Sequence, residues 1–370
     1  MTPRGQTLRL ATRGSDLALR QAGEVRAALE SSRRDVELVE VETRGDQIRD
    51  ELIHRLGKTG AFVRSLDEQV LDGSVDAAVH SMKDMPTEFP PDLVVAGVPA
   101  RASARDVLVT PDGAPLADLP SGATVGTGSL RRKAQLLAER PDLDVRPLRG
   151  NVDTRAEKLL APSLQRRHEA RFDAEEEDEG TYERSPEEWF DDLSELERRA
   201  LGREVDVEFD AIVLAEAGLH RSGLTGSLEF AQFSPTSFVP APGQGALAIT
   251  ALEGEGAATI RSHLDHPPTR VTTTVERTVL KHLGGGCIAP IGVYARLRGE
   301  QVDVVARVLS TDGTEEVRES RSLPVEDHHT AARRFAEDLR ERGAADLVDA
   351  AREEADADER DTAAREDGGE

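Results

Sequence analysis

Residues 75–86, VDAAVHSMKDMP, decide how this chain folds. Val75, Ala77, Ala78 and Val79 form a short apolar run that reads as a strand buried in a sheet. The run passes at once into Ser81, Lys83 and Asp84, and Pro86 then ends regular structure. In open α/β sheets the carboxyl ends of strands line the ligand crevice, so this stretch predicts both a fold class and a site.

The same pattern recurs outward from it. Residues 8–12 read as a strand, followed by the turn Arg13-Gly14-Ser15 and an amphipathic helix over 16–30 with Ser15 as its N-cap. Strands over 36–42 and 94–98 and a helix over 61–72 complete an α/β unit with a mostly parallel sheet. A second α/β unit begins near Arg101, with strands over 107–110, 123–126, 144–148 and 209–214. Its helix over 130–139 starts directly after Ser129. PAPGQG, residues 240–245, and Pro267-Pro268 are breaker-rich joints on either side of a strand over 246–251. A helix ending at Leu283 leads into GGGCIAP, residues 284–290. Strands over 291–297, 302–309 and 315–322 and helices over 329–342 and 344–354 then read as a small α+β unit.

Composition narrows the function. The formal charge of −24 argues against a general nucleic-acid binder, which needs a basic face. Much of it sits in two stretches: residues 161–208 carry a net −10 and residues 351–370 a net −6. The first reads as a solvated, partly disordered surface excursion with a helix-compatible stretch around residues 189–201, and the last 15 or so residues as a disordered charged tail. Five lysines against 42 arginines on an acidic chain fit a salt-adapted cytosol. One cysteine excludes a disulfide framework, and the nine histidines show no metal-ligand spacing, so no metal is expected. No apolar run reaches signal-peptide or membrane-span length, which points to a cytoplasmic protein with no membrane partner.

Five strand ends carry cations or hydroxyls: Arg13 and Ser15; Lys83; Thr127, Ser129, Arg131 and Arg132; Arg149 and Arg155; and, after a short helix, Arg221. A single arginine on an acidic surface is most simply a salt bridge, nearly neutral in energy. A whole set at equivalent strand ends points to an anion-binding cleft, and carboxylates suit planar guanidinium groups. Arg131 and Arg132 stand in the first turn of a helix, where cations are disfavoured unless an anion is near. Asp84 is the one carboxylate within this set, placed to orient an N–H, stabilise a developing cation or act as a general acid. Cys287 has two readings on its own, a small buried hydrophobe or a functional thiol on a glycine loop.

ATRGSDLAL, TRGD, HSMKDMP, GTGSLRR, LRGNVDTR, DAIVLAEAGLHR, PGQGA and GGGCIAPIG, in that order from residue 8, resemble the motifs of the porphobilinogen deaminase (hydroxymethylbilane synthase) family. The resemblance implies two domains like those of type II periplasmic binding proteins, residues 1–103 with 245–264 and residues 104–244. It adds a C-terminal α+β domain over 265–354, before the acidic tail at 355–370. It implies a transferase of haem and porphyrin biosynthesis that joins four porphobilinogen molecules head to tail with loss of ammonia, then releases hydroxymethylbilane by hydrolysis. The implied cofactor is a dipyrromethane in thioether linkage at Cys287. Asp84 becomes the catalytic residue, handling pyrrole N–H groups, ammonia loss and an azafulvene-like cation. Arg13, Ser15, Lys83, Thr127, Ser129, Arg131, Arg132, Arg149, Arg155 and Arg221 become ligands for cofactor and substrate carboxylates. Small-molecule substrate is the only partner implied, and the chain is expected to be monomeric. Three departures stand out: Thr59 where the family often has lysine, which leaves the adjacent Lys58 open as a ligand; Gly128 for a common serine; and the acidic insertion. The rival reading is an anion-binding module on the same fold without chemistry.

Overall fold

The computed structural model describes residues 6–30, 34–41, 59–176, 182–286 and 288–367. The TRGD stretch at 43–46, Lys58 and Cys287 lie outside the described residues.

Apolar runs of five to eight residues, punctuated by amphipathic helices, build the first lobe from β1 (Gln6–Arg13), α1 (Asp16–Leu29), β2 (Arg34–Val41), α2 (Thr59–Leu71), β3 (Ala77–Ser81) and β4 (Leu93–Gly97). The second lobe holds β5 (Asp106–Val109), β6 (Thr124–Gly126), α3 (Leu130–Glu139), β7 (Asp144–Arg146), α4 (Val152–Glu176), α5 (Pro186–Asp192), α6 (Glu195–Leu201), β8 (Ala211–Ala215), α7 (Glu216–Arg221) and β9 (Phe230–Gln232). The chain then returns to the first lobe as β10 (Leu247–Leu252) and α8 (Glu255–Leu264).

The two sheets repeat one plan, β2-β1-β3-β10-β4 and β7-β6-β8-β5-β9. Each has a parallel trio extended by a strand that runs antiparallel to both its neighbours, β10 in the first and β5 in the second. The expectation of a mostly parallel sheet is therefore corrected: half of the pairings are antiparallel. The physical reason is that β5 and β10 enter directly from the other lobe, with no helical crossover to turn them into the parallel sense. Two lobes with this repeated strand order and two crossings agree with the two-lobed architecture expected from the motifs. Where the crossings run side by side, the amide of Ala102 donates to the Gly245 carbonyl at 3.2 Å. Gly245 has φ +84°, and a Cβ there would stand 2.4 Å from the Ser103 carbonyl oxygen, so this joint requires glycine.

Beyond the second crossing lie α9 (Pro267–Leu283), the meander β11 (Ile291–Arg298), β12 (Gln301–Leu309) and β13 (Glu316–Pro324), then α10 (His328–Leu339) and α11 (Ala345–Asp367). Val275, Val279 and Leu283 of α9 meet Val293, Val304 and Phe335 in the core of this unit. Its β12–β13 turn seats on the second lobe, with a Cβ at Gly313 only 2.4 Å from the Ala134 carbonyl oxygen of α3.

The helix expected around residues 189–201 is found, and two expectations are corrected, for the rest of the acidic segment and for the tail. The acidic segment over 161–208 is largely helical, with a small core in which Trp189, Leu193 and Ala200 bury against Leu164 of α4. Ser185 with Glu188 and Ser194 with Glu197 form capping boxes that start α5 and α6. Buried Glu157 of α4 is paired with Arg199 at 3.1 Å and with Arg203. The tail is not irregular either, since α11 continues to Asp367, as its alanine, glutamate and arginine content favours. Among the described residues no helix is long and apolar enough to cross a membrane.

Candidate active site

β3 ends at Ser81 and the chain makes one 3-10 turn, Met82–Asp84. Met82 and Met85 anchor this turn by burying against Val98, Ala246 and Ala248, and the Met82 amide donates to the Ala246 carbonyl at 3.0 Å. Lys83 is left half-buried and Asp84 exposed, both facing a cavity of about 420 Å³. Ser129, Arg131 and Arg132 face it from the start of α3, Arg155 from α4, and Gly285, Gly286, Ile288 and Ala289 from the glycine loop. The fold thus brings Lys83, Asp84, Ser129, Arg131, Arg132 and Arg155 together in one wall. Cys287 lies outside the described residues, but its neighbours Gly286 and Ile288 both line this cavity.

The remaining residues singled out from the sequence do not line it. Ser15 accepts from the Ala18 amide at 3.4 Å and caps α1. Thr127 is buried and its hydroxyl accepts from the Ser129 amide at 3.2 Å, shaping the turn before α3. Arg221 donates to the Gly245 carbonyl at 3.3 Å and lies 3.5 Å from the Glu24 carboxylate, tying α7 to the crossing and to α1. Arg13 ends β1, whose parallel pairing with β3 puts it on the same sheet edge as Lys83. Arg149 is close enough to Arg155 to act on its charge.

The anion expected near Arg131 and Arg132 exists inside the protein. Asp106, the first residue of β5, is fully buried and accepts from Arg131 Nη2 at 2.8 Å. It also accepts from Arg132 Nε at 3.0 Å and Nη2 at 2.7 Å, and from Gln244 Nε2 at 3.0 Å. Burial pulls the Asp106 carboxyl up, but Arg131 and Arg132 outweigh it and hold it below the usual carboxylate range. Burial in turn pushes the Arg131 guanidinium down against the pull of Asp106. Each arginine spends a further N–H on a carbonyl, Arg131 on Val239 at 2.8 Å and Arg132 on Val213 at 3.0 Å. They are fixed parts of the wall. Asp106→Asn leaves two buried arginines without a counter-charge and is expected to lose about 3–5 kcal/mol of stability. Denaturant unfolding measures it, and an unchanged midpoint would remove Asp106 from this role.

Lys83 and Arg155 carry the charge that is not balanced in this way. Asp84 pulls the Lys83 ammonium up, yet burial together with Arg132 and Arg155 outweighs it and Lys83 is held below the ordinary lysine value. Burial, then Arg132 and Arg149, push Arg155 down to about 10 against the pull of Asp84. Cations that depress one another in a cavity are relieved by an anionic ligand.

Sequence reasoning missed the residues that hold this wall in place. Asp106 was visible only as a charged residue opening an apolar strand. Glu276 of α9 is fully buried, pairs with Arg101 at 2.7 Å and accepts from the amides of Gly243 at 2.7 Å and Ala295 at 2.8 Å. It joins both crossings to the third sheet, and in sequence it looks like any charged helix position.

The family model described as porphobilinogen deaminase, dipyromethane cofactor binding domain, matches residues 8–167 and 195–259, and that of the C-terminal domain matches residues 271–341. A probable porphobilinogen deaminase of Halobacterium salinarum is 52% identical, over 95% of this chain and 99% of the relative. One from Methanocella arvoryzae is 38% identical over 94% and 100%, and a porphobilinogen deaminase of Campylobacter fetus is 36% identical over 94% and 99%. The chain belongs to the porphobilinogen deaminase family. It is a transferase of tetrapyrrole biosynthesis with a dipyrromethane cofactor, and the binding-module alternative falls. A relative at 52% from a halophilic archaeon accords with the acidic, lysine-poor composition. The residues present fit the cofactor: a dipyrromethane bears carboxylates, and the cavity presents Lys83 and Arg155 with their charge unbalanced.

Proposed function

We propose that this cavity is where porphobilinogen units are condensed, with the cofactor tethered at Cys287 and Asp84 as the catalytic residue. The observation that supports this most is one exposed carboxylate on a fixed turn, facing four cations and the loop on both sides of the sole cysteine. When bound, the dipyrromethane supplies the pyrrole carbon from which the chain is extended. Lys83 and Arg155 hold acetate and propionate groups by charge-assisted hydrogen bonds, and Arg131 and Arg132, fixed on Asp106, add positive potential. Asp84 accepts the pyrrole N–H of an incoming substrate, holds a proton for the departing ammonia and stabilises the positive charge left behind. Leu280, Ile288, Ala289 and Ile291 give the cavity an apolar side. Arg13, Ser15, Thr127 and Arg149 stand at or just after strand ends and Arg221 at the end of α7, and they are assigned to carboxylates farther along a growing chain, directly or by shaping the turns that do so. The domains run over 1–103 with 245–264, 104–244 and 265–354, in keeping with three sheets, though α11 passes the last boundary. The chain is taken to act as a monomer in the cytosol, as its motifs imply.

Arg155→Leu tests the carboxylate-binding role. Removing a charged donor from ground state and transition state alike should raise KM for porphobilinogen about tenfold or more. An unchanged KM would take Arg155 out of the binding set.

A further inference from the structure

The turn that carries Asp84 is held from behind by the third unit. Arg277 of α9 donates through Nη1 to the carbonyls of Met82 at 3.2 Å and Met85 at 3.3 Å, and through Nη2 to the carbonyl of Pro86. These three carbonyls bracket Asp84. The guanidinium lies over the ring of Phe89, 5.9 Å from its centroid, and burial pushes it down to about 10. Among the described residues no carboxylate pairs with it. A half-buried cation spent on neutral carbonyls is an expensive way to add stability, because an apolar side chain of similar volume avoids the desolvation.

The rest of α9 shows what this contact measures. The preceding residue, Glu276, ties the helix to both crossings by accepting from the Gly243 amide and the Arg101 guanidinium. Leu280, one turn on, lines the cavity, and the helix ends at Leu283 before the Gly284 cap and the loop that carries Cys287. From Arg277 to Leu283 is six residues, about 9 Å of helix. The carboxylate turn and the cysteine loop are therefore referenced to one rigid rod.

We infer that Arg277 is a positioning residue for the condensation, setting the height of Asp84 above the cysteine loop. This rests on the reading of Asp84 proposed above. Displacing a reacting group by about 1 Å lowers rate by roughly 100-fold while leaving remote binding contacts intact. Arg277→Met keeps the packing over Phe89 and removes every donor. It should lower kcat by about 10- to 100-fold with KM for porphobilinogen changed by less than about threefold. Arg277→Lys, which keeps some donors, should fall between Arg277→Met and wild type, and it carries the test where Arg277→Met does not fold. Intact mass confirms that variants of equal cofactor content are being compared. In an Asp84→Asn background, Arg277→Met should add less than about a twofold loss, because the group it positions is gone. Wild-type kcat in both Arg277 variants, or the same fold-loss with and without Asp84, would overturn the positioning role. If Asp84→Asn alone turned over normally, both the role of Asp84 and that of Arg277 would fall.

Discussion

Asp84→Asn is expected to fold like the wild type and to lose turnover by about 100-fold or more. Asp84 is exposed to the cavity and its turn is anchored by Met82, Met85 and Arg277, so an isosteric amide leaves the anchoring unchanged. What disappears is the negative charge. An amide offers a weaker acceptor to the pyrrole N–H, holds no proton for ammonia and gives no counter-charge to the cation that forms as ammonia leaves. A second effect follows from Lys83, for which Asp84 is the strongest influence holding the proton on. Without Asp84, burial, Arg132 and Arg155 push the Lys83 ammonium further down. It then loses its proton, and its hold on a carboxylate, at a lower pH than in the wild type. The alkaline rise in KM should accordingly begin earlier in Asp84→Asn. Steady-state kcat and KM across pH, with circular dichroism for the fold, measure both effects. Turnover within threefold of wild type would remove Asp84 from the mechanism.

The sequence carried the sheet edges well and their internal partners poorly. The helix over 130–139 is found with the same bounds as expected, because Ser129 caps it and Leu136 and Ala134 face the core. The strand before Lys83 and Asp84 was legible for the same reason: four small apolar residues followed at once by charge. Arg131 and Arg132 were legible as cations needing an anion, but a single sequence does not distinguish a ligand carboxylate from Asp106, 25 and 26 residues earlier. The antiparallel sense of β5 and β10 depends on which lobe the chain comes from, which no local pattern encodes. In the acidic insertion the helical stretch around residues 189–201 was legible, since Trp189, Leu193, Leu196 and Ala200 recur at steps of four, three and four, but their packing as a small core against α4 was not. Arg277 and Glu276 gave no signal, because their burial comes from other units packing onto α9.

Cysteine at position 287 bears the largest consequence of the account, and serine there removes the thioether that would tether the cofactor. Cys287→Ser keeps the glycine loop and nearly the same volume, so the fold should persist. Covalent tethering keeps the growing chain at an effective concentration no free cofactor reaches, so turnover should fall to background. Arg340 and Arg352 donate to the carbonyls of His282 and Gly284, so the base of this loop is held whether or not the thiol is present. The most direct measurement is the intact mass of the purified protein. The wild type should exceed its sequence mass by one dipyrromethane, built from two porphobilinogens with loss of two ammonias, and Cys287→Ser should match its sequence mass. A fully active wild type at bare sequence mass, or an adduct that survives in Cys287→Ser, would contradict the account.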